Sequence, residues 1–394
     1  ENYFKYLLSS KKILKKKTII LNSLGYKFSR ILFHAIKRGY KVILFDGKIS
    51  FAKKLFLLFL GVQFVEFKKS NDMSENQIKI PDINFQSQNI DFSKILNYRK
   101  NQELQNLNIL NSKCYAIKDF FNLNKVSMIF TNSGKGISGF LAEAGNQHSI
   151  PSVCINHGII AKSFNNFDKI YKKINAERQF SCKAKYFSLQ SKITKDSLVT
   201  HKVEGKTIET GNILFQEGKR NSFFYVMYAV TLKNFDNLHF LGDEMFYEFV
   251  ENLKFFEKLS VKHKLKFLIK LHPVAKKDIY LLEKIFKNLK FTVSDLKKNL
   301  QKTLFTISYA STVIEDSLNC GVPVVLFDRW QRYKHCDSQT NPMIQNEAIY
   351  YITNEEDLLC SIDSIKKSKQ FNFYKYIYSG KSSENIKRLF SKKF

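Results

Sequence analysis

Short apolar runs alternate along this chain with longer amphipathic segments, a pattern typical of the strands and helices of α/β proteins. The first apolar run, KTIILNSLG, occupies residues 17–25 and ends at a glycine. An amphipathic segment follows at 26–40, and a second apolar run, KVILFDG, follows at 41–47. This order predicts a strand, a helix and a strand in a βαβ unit, and therefore a parallel sheet.

The same alternation continues through two further stretches of the chain. It predicts these additional strands: 125–136, 150–158, 184–191 and 207–215 in the first stretch, and 223–231, 265–273, 290–295, 303–308 and 322–328 in the second. The polar run QEGKRNS at 216–222 separates the two series and is typical of a linker. The chain is therefore expected to form an α/β fold of two Rossmann-like, doubly wound domains that face each other across a cleft.

The domain boundaries follow from the same pattern. We expect an amino-terminal domain at 1–217, with an insertion at about 68–124, and a carboxyl-terminal domain at 218–370. Residues 371–394 are expected to form helices that pack back on the first domain. Open parallel sheets bind ligands at the carboxyl ends of their strands, so the cleft between the domains is the expected site.

His272 and Pro273 come directly after the apolar run KFLIKL. Proline lacks an N–H group and ends the strand, which leaves the His272 side chain at the edge of the sheet. A histidine in this place can donate a hydrogen bond to a phosphate oxygen or exchange a proton. The alternative is a histidine that bonds a carbonyl of its own loop.

The turn SYAST at 308–312 follows a later apolar run, and its hydroxyl groups belong to Ser308, Ser311 and Thr312. With the N–H groups of a helix start, these hydroxyls can bind an anion. Glu315 lies one helical turn after Ser311, where a carboxylate can accept both hydroxyls of a ribose. The alternative is a capping box, in which Glu315 reaches back to a backbone N–H group.

The motif KLHP, followed some forty residues later by SYASTVIEDSLNCGVPVVLFD, resembles the carboxyl-terminal domain of GT-B glycosyltransferases. The nearest group has a His-Pro motif and a paired Ser/Thr motif. It includes bacterial sialyltransferases, Kdo transferases and CDP-glycerol glycerophosphotransferases. YAVT at 228–231, TGN at 210–212 and NHG at 156–158 add to the resemblance, which covers the chain from about 125 to 330.

The resemblance implies roles for the matching residues. It implies that His272 of the His-Pro motif and the Ser311–Thr312 pair hold the phosphate of the donor, and that Glu315 binds its ribose. The group draws largely on cytidine nucleotides, so the implied donor is a CMP-linked acidic sugar or a CDP-linked polyol. The catalytic acidic pair and glycine of some sialyltransferases have no clean match in this sequence. Asp46, which precedes a glycine, is the nearest candidate for that base.

The segment from 131 to 158 predicts the end of a strand, a glycine-rich turn, a helix and a second strand. Gly134, Lys135 and Gly136 can bring backbone N–H groups close to an anion, although the P-loop pattern is absent. Glu143, inside the helix, is a candidate base. The alternative for Glu143 is a solvated helix face.

His157 ends the second of these strands, and a two-domain arrangement predicts it across the cleft from His272. An inverting transfer needs a base near the acceptor hydroxyl and hydrogen-bonding or positive groups at the leaving phosphate. By position, His157 suits the first role and His272 suits the second.

The net charge is +29, from 64 basic and 35 acidic residues. Such a charge attracts anionic partners such as nucleotides, acidic sugars or an anionic membrane face. Lysine in a chain also rich in Asn, Ile and Phe equally fits the composition of an AT-biased genome. Only eight of the 64 basic residues are arginine, which argues against a nucleic-acid reader.

Other sequence features bear on the cellular compartment of the protein and on its need for a cofactor. No apolar run reaches the roughly 20 residues of a membrane span, and no signal-peptide pattern is present. The six cysteines form no C-x-x-C pair, which fits a reducing compartment. We therefore expect a cytoplasmic protein, with peripheral contact to the inner face of the membrane as an added expectation. Neither H-E-x-x-H nor D-x-D occurs, so neither a metal nor another cofactor is expected.

We expect a glycosyltransferase of surface-glycan assembly, inverting and metal-independent, that uses a CMP-linked sialic-acid-type or Kdo-type sugar. Its acceptor would be a glycan or a lipid-linked glycan. A CDP-glycerol or CDP-ribitol phosphotransferase is the alternative within the enzyme class. The alternative of another class is a basic membrane-binding or nucleic-acid-binding protein without catalysis, which would show salt-dependent binding to those partners and no nucleotide binding.

Overall fold

The structure is a computed structural model of the chain. It describes these residues: 17–22, 24, 26–45, 49–65, 79–87, 90–134, 136–155, 159–160, 169–170, 172–173, 176, 183–201, 205–214, 225–230, 242–309, 311–331 and 334–391. The predicted linker and the boundary at 217 and 218 lie outside the described residues.

The apolar runs of the amino-terminal half form a seven-stranded parallel sheet in the order β3-β2-β1-β6-β7-β8-β9. Its strands are β1 (Thr18–Leu21), β2 (Lys41–Phe45), β3 (Gln63–Val65), β6 (Met128–Thr131), β7 (Ser152–Cys154), β8 (Tyr186–Leu189) and β9 (Lys206–Glu209), and a separate hairpin consists of β4 (Gln86–Ser87) and β5 (Ile90–Asp91). The helices of this half are α1 (Tyr26–Lys37), α2 (Phe51–Phe59), α3 (Ser93–Leu123), α4 (Gly136–Gln147) and α5 (Lys192–Thr200).

The central strands of this sheet are buried on both faces, as strands linked by helical crossovers require. Successive side chains of β1 point to opposite faces. Ile19 packs on one face in the same apolar cluster as Ile31 of α1. Ile20 packs on the other face with Ile117 of α3 and Leu141 of α4.

The stretch at 68–124, predicted as an insertion, contributes to this core. Helix α3 occupies its second half, and Ile117 and Phe121 near the end of α3 are buried against the sheet. The sequence did not predict this packing, because only the last turns of α3 reach the sheet and the rest of the helix is polar.

The carboxyl-terminal half forms a six-stranded parallel sheet in the order β12-β11-β10-β13-β14-β15. Its strands are β10 (Tyr225–Ala229), β11 (Phe267–Lys270), β12 (Lys290–Thr292), β13 (Thr303–Ser308), β14 (Val324–Phe327) and β15 (Ile349–Ile352). Its helices are α6 (Gly242–His263), α7 (Ile279–Ile285), α8 (Leu296–Leu300), α9 (Val313–Asn319) and α10 (Glu355–Lys367), with a 3₁₀ helix at Pro273–Asp278.

The end of the chain contacts the amino-terminal half. After a 3₁₀ turn at Phe373–Lys375, helix α11 (Ser382–Ser391) lies against α1. The Arg30 Nη1 atom donates a hydrogen bond to Ser382 Oγ at 3.0 Å. Phe390 joins the apolar cluster of α1 and β1.

In both sheets the chain starts at a central strand, builds outward to one side, and then returns to build the other side. The reversal falls between β1 and β6 in the first sheet and between β10 and β13 in the second. Among the helices that the structure describes, none is long and apolar enough to cross a membrane.

Candidate functional site

The two reversal points are where a doubly wound sheet opens a crevice at the carboxyl ends of its strands. A ligand in such a crevice contacts the residues just after β1 and β6, or those just after β10 and β13. Both points carry polar side chains.

Three polar side chains meet at the reversal point of the amino-terminal sheet. Asn22 follows β1 directly, Asn132 follows β6, and Ser138 lies in the first turn of α4. Asn22 Nδ2 donates to Asn132 Oδ1 at 3.0 Å, and Ser138 Oγ donates to the same oxygen at 2.8 Å. This cluster was not predicted from the sequence, although an asparagine directly after an apolar strand is a signal for it.

The glycine-rich turn lies beside this cluster. Gly136 begins α4 with a φ of +58°, while Lys135 lies outside the described residues. Gly139 was not singled out from the sequence, yet a Cβ atom there would stand 2.7 Å from the carbonyl oxygen of Gly134. The turn and the helix thus approach each other so closely that only glycine fits without a shift.

Glu143 lies on α4 on the same side as the exposed residues Asn146 and Gln147. Its side chain is partly buried, and its Oε2 atom is shielded from solvent and receives no hydrogen bond from any described residue. The carboxylate thus keeps one acceptor atom shielded from solvent. His157 and Asp46, the other two candidate bases, lie outside the described residues.

His272 stands at the carboxyl edge of the second sheet, two residues after β11. Its side chain is exposed, and its Nδ1 atom accepts a hydrogen bond from the Val274 N–H group at 3.4 Å, which caps the 3₁₀ helix that Pro273 begins. An imidazole that accepts at Nδ1 carries its hydrogen on Nε2. His272 therefore caps its own loop with one nitrogen and has a donor on the other.

Ser308 does not present its hydroxyl to the turn. The residue is fully buried at the end of β13, and its Oγ atom donates to the Ala229 carbonyl of β10 at 3.1 Å. The hydroxyl links two strands inside the sheet, because the alternation along β13 turns this side chain inward. The expectation that Ser308 contacts the donor is corrected accordingly.

Ser311 and Thr312 lead into α9 without forming the capping box. The Val313 N–H group donates to Ser311 Oγ at 3.3 Å, and Thr312, at the N-cap position, makes no capping bond with its side chain. Glu315 does not return to the start of the helix. Its Oε2 atom lies 3.5 Å from Nε2 of His335.

The pair of Glu315 and His335 is nearly enclosed by protein. The side chain of Glu315 is 12% exposed and that of His335 is 4% exposed. His335 also lines a cavity of about 330 Å³, whose other walls include Ile160 and residues of α5. Glu315 therefore contacts a residue that lines a cavity formed between the two halves of the chain.

A second acidic residue of α9, Asp316, joins the two halves. Lys27 of α1 interacts electrostatically with Asp316 and with Glu315. Burial raises the pKa of Asp316 to about 7, and Lys27 opposes that rise. Burial likewise lowers the pKa of Lys27, against the two carboxylates. The start of α1, after one reversal point, therefore lies close to the start of α9, after the other.

Asn212, the last residue of the TGN motif, completes this interface. Its Nδ2 atom donates to Asp316 Oδ1 at 3.4 Å, and its Oδ1 atom accepts from the Leu214 N–H group at 2.7 Å. Its backbone carbonyl accepts from Asn385 Nδ2 of α11 at 2.8 Å. One asparagine thus connects the end of the first sheet with α9 and with the last helix.

Within the described part of the chain, no group of three or more His, Cys, Asp or Glu side chains could hold a metal ion. The polar groups described above are hydroxyls, amides, imidazoles, carboxylates and one ammonium group. Their chemistry is that of hydrogen bonding to hydroxyl-bearing and phosphate-bearing ligands.

No protein-family profile and no curated protein matches this chain. Solved structures similar to it include UDP-GlcNAc 2-epimerase from Methanocaldococcus jannaschii, with a TM-score of 0.53, 13% identity and coverage of 95% of this chain and 99% of that one. The MnaA protein of S. aureus with UDP gives a TM-score of 0.52 and 12% identity, with 95% of each chain covered.

The UDP-GlcNAc 2-epimerase of Neisseria meningitidis bound to UDP-GlcNAc is similar at a TM-score of 0.51 and 12% identity, over 95% of this chain and 100% of that one. Likeness at such low identity concerns the fold. The fold class predicted from the sequence is confirmed: the chain has two Rossmann-like, doubly wound domains of the GT-B type.

Proposed function

We propose that this chain is a glycosyltransferase of the GT-B fold that transfers a sugar from a cytidine-nucleotide donor to a surface glycan. The observation that carries the proposal is the position of Glu315. This shielded carboxylate follows the reversal point of the second sheet and lies 3.5 Å from His335, which lines a cavity between the two halves. A carboxylate in that position suits the paired hydroxyls of a ribose.

The donor phosphate is assigned to His272, Ser311 and Thr312. His272 follows β11 and the Ser–Thr pair follows β13, so they flank the end of β10 from both sides. Hydrogen-bond donors gathered there can stabilise the charge that develops on a leaving phosphate. Lys27, near Asp316 and Glu315, adds a positive charge to the same region.

The acceptor is assigned to the amino-terminal half. Glu143 has a shielded acceptor oxygen on α4, the helix that follows β6 at the reversal point of the first sheet. A base in this half would face an acceptor hydroxyl across the donor, as an inverting transfer requires. His157 and Asp46 stay candidate bases from the sequence alone.

The base of the nucleotide is the finer part of the proposal. Cytidine rests on the resemblance of KLHP and SYAST to sialyltransferases, Kdo transferases and CDP-glycerol transferases. Two proteins of similar fold carry UDP or UDP-GlcNAc in their structures. UDP is therefore the necessary competitor in any binding experiment, and CDP-glycerol tests the phosphotransferase alternative.

Calorimetric titration with CMP and UDP tests the donor site. His272→Ala and Glu315→Ala are each expected to weaken nucleotide binding by about 10-fold to 100-fold, because a hydrogen bond to a charged group contributes about 1.5–3 kcal/mol. His263→Ala and Glu283→Ala, which remove exposed side chains of the same types in the same half, should leave the affinity unchanged.

Unchanged affinity in both site variants would overturn the site assignment. Release of CMP from a CMP-linked sugar, in the presence of glycan acceptors, tests the reaction itself. Turnover of UDP-GlcNAc or CDP-glycerol in its place would replace the cytidine-sugar donor. Absence of binding to any of these nucleotides would contradict the enzyme proposal and favour the binding-protein alternative.

A further inference from the structure

Helix α2 carries apolar residues on the side that faces solvent. At about 100° per residue, positions four apart lie in one row along a helix. Phe51, Leu55 and Phe59 form one such row, and Ala52 and Phe56 form the adjacent row. The helix therefore has a continuous apolar face, hereafter the α2 face, composed of these five residues.

The α2 face is exposed along its whole length. Phe51 is 73% exposed, Leu55 44%, Phe56 54% and Phe59 88%. Leu57, on the opposite side of the helix, is the residue that packs into the core. An ordinary surface helix has one apolar side, which is buried. Helix α2 has a second apolar side, and that side faces solvent. Contiguous exposed apolar surface of this kind marks a contact with a partner or a membrane.

Lysines flank the α2 face. Lys53 is exposed, and Lys54 is partly buried with its Nζ atom 5.6 Å from the ring centroid of Phe64. On the helix they lie between the α2 face and Leu57, so they border the apolar surface without interrupting it. The flanking sequence at 46–50 and 60–69 adds Lys48, Lys68 and Lys69 and two acidic residues, Asp46 and Glu66.

We infer that the α2 face docks this chain on an anionic phospholipid surface. Interfacial helices bury an apolar, often aromatic face at the level of the headgroups, and the lysines beside it contact the lipid phosphates. Charge complementarity selects this occupant. A second copy would bring the same lysines and the same net charge of +29 against each other, whereas an anionic bilayer complements both the apolar face and its cationic border.

Co-sedimentation with vesicles tests the inference. The full chain is expected to bind vesicles of phosphatidylcholine containing phosphatidylglycerol, more weakly as salt increases, and to bind pure phosphatidylcholine poorly. Replacing Phe51, Leu55, Phe56 and Phe59 by Ser should reduce binding by at least about tenfold, because binding scales with the buried apolar area. Unchanged binding in this variant would overturn the inference.

A matched control removes exposed apolar residues from the other half. Tyr280, Leu281 and Ile285 on α7 are exposed to a comparable degree, and their replacement by Ser should leave vesicle binding unchanged. An equal loss in both variants would overturn the assignment to α2. Lys53→Gln with Lys54→Gln should lower binding to the anionic vesicles on the order of tenfold and leave the weak binding to neutral vesicles unaltered.

The variant with four serine replacements can fail to fold, so a fluorescent reporter with a single changed residue on α2 tests the inference independently. Trp330 is the one tryptophan of the chain, so Phe59→Trp in a Trp330→Phe background reports on α2 alone. Its emission should shift to shorter wavelength when anionic vesicles are added, and it should be quenched by brominated lipid. An emission that is already shifted in buffer, or that shifts with protein concentration instead of lipid, would mean that the chain itself or a second copy covers the helix, and would overturn the inference.

Discussion

Asp316 shows how a single buried carboxylate connects the two halves of this molecule. It accepts a hydrogen bond from Asn212 of the amino-terminal half and interacts with Lys27 of α1. Burial raises its pKa from 3.8 to about 7. The folded protein therefore holds a proton there across a range in which the unfolded chain has lost it.

This shift predicts how stability depends on pH. The contribution of Asp316 is fully present below about pH 4 and is lost as the pH rises through about 7, by at most about 1.4 kcal/mol of unfolding free energy per pH unit. Asp316→Asn, which resembles the protonated acid, should flatten the fall of the melting temperature over this range. Thermal melts at a series of pH values measure the effect.

The control for this prediction is Asp363→Asn, which alters an exposed carboxylate on α10. This variant should keep the pH dependence of the unaltered protein. If the melting temperature of Asp316→Asn falls with pH as steeply as that of Asp363→Asn and of the unaltered protein, Asp316 is ionised throughout the range and the prediction is wrong.

At the scale of elements, the junction between β9 and α11 depends on one glycine. Gly211 has a φ of +71°, and a Cβ atom there would lie 2.7 Å from Nδ2 of Asn385. That Nδ2 atom donates the hydrogen bond to the Asn212 carbonyl. An added methyl group would thus strain the backbone and displace the bond that anchors the last helix.

A non-glycine residue in the left-handed conformation costs about 1–2 kcal/mol. Gly211→Ala should lower the free energy of unfolding by more than this amount. Gly39→Ala is the matched comparison, since Gly39 has a φ of +78° with nothing within 4 Å of its Cβ position. Urea denaturation of both variants measures the difference. Equal losses would show that Asn385 yields without cost.

Elements also show what sequence patterns can and cannot predict. The strands at β10, β11, β13 and β14 follow from short apolar runs, because a run that fits a buried strand is a local property. The capping box at Glu315 was an equally reasonable local hypothesis. It did not form, and the carboxylate lies instead 3.5 Å from His335, twenty residues away along the chain.

At the scale of the whole molecule, the core of the amino-terminal half includes residues from the end of the chain. Phe390 of α11 lies with its ring centroid 5.1 Å from that of His34, 5.4 Å from Tyr40 and 5.5 Å from Phe130. The same apolar cluster includes Met227 of β10. The cluster therefore contains residues from the beginning, the middle and the end of the chain.

Phe390→Ala should lower the free energy of unfolding by about 3–5 kcal/mol, as large-to-small changes of buried aromatic residues do. Because the cluster spans both halves, we expect a single unfolding transition at a lower midpoint. Ile285→Ala, an exposed position on α7, should change the midpoint little. A separate early transition, with the main one unmoved, would show that the last helix unfolds independently.

The sequence by itself determined the α/β class, the approximate strands and helices, and the polar residues at strand ends, since each depends on side chains that are neighbours along the chain. Only the tertiary structure decided that Ser308 points inward, that Glu315 meets His335, and that Lys27 meets Asp316. These contacts depend on strand order and side-chain direction between distant segments, and no spacing along the chain contains that information.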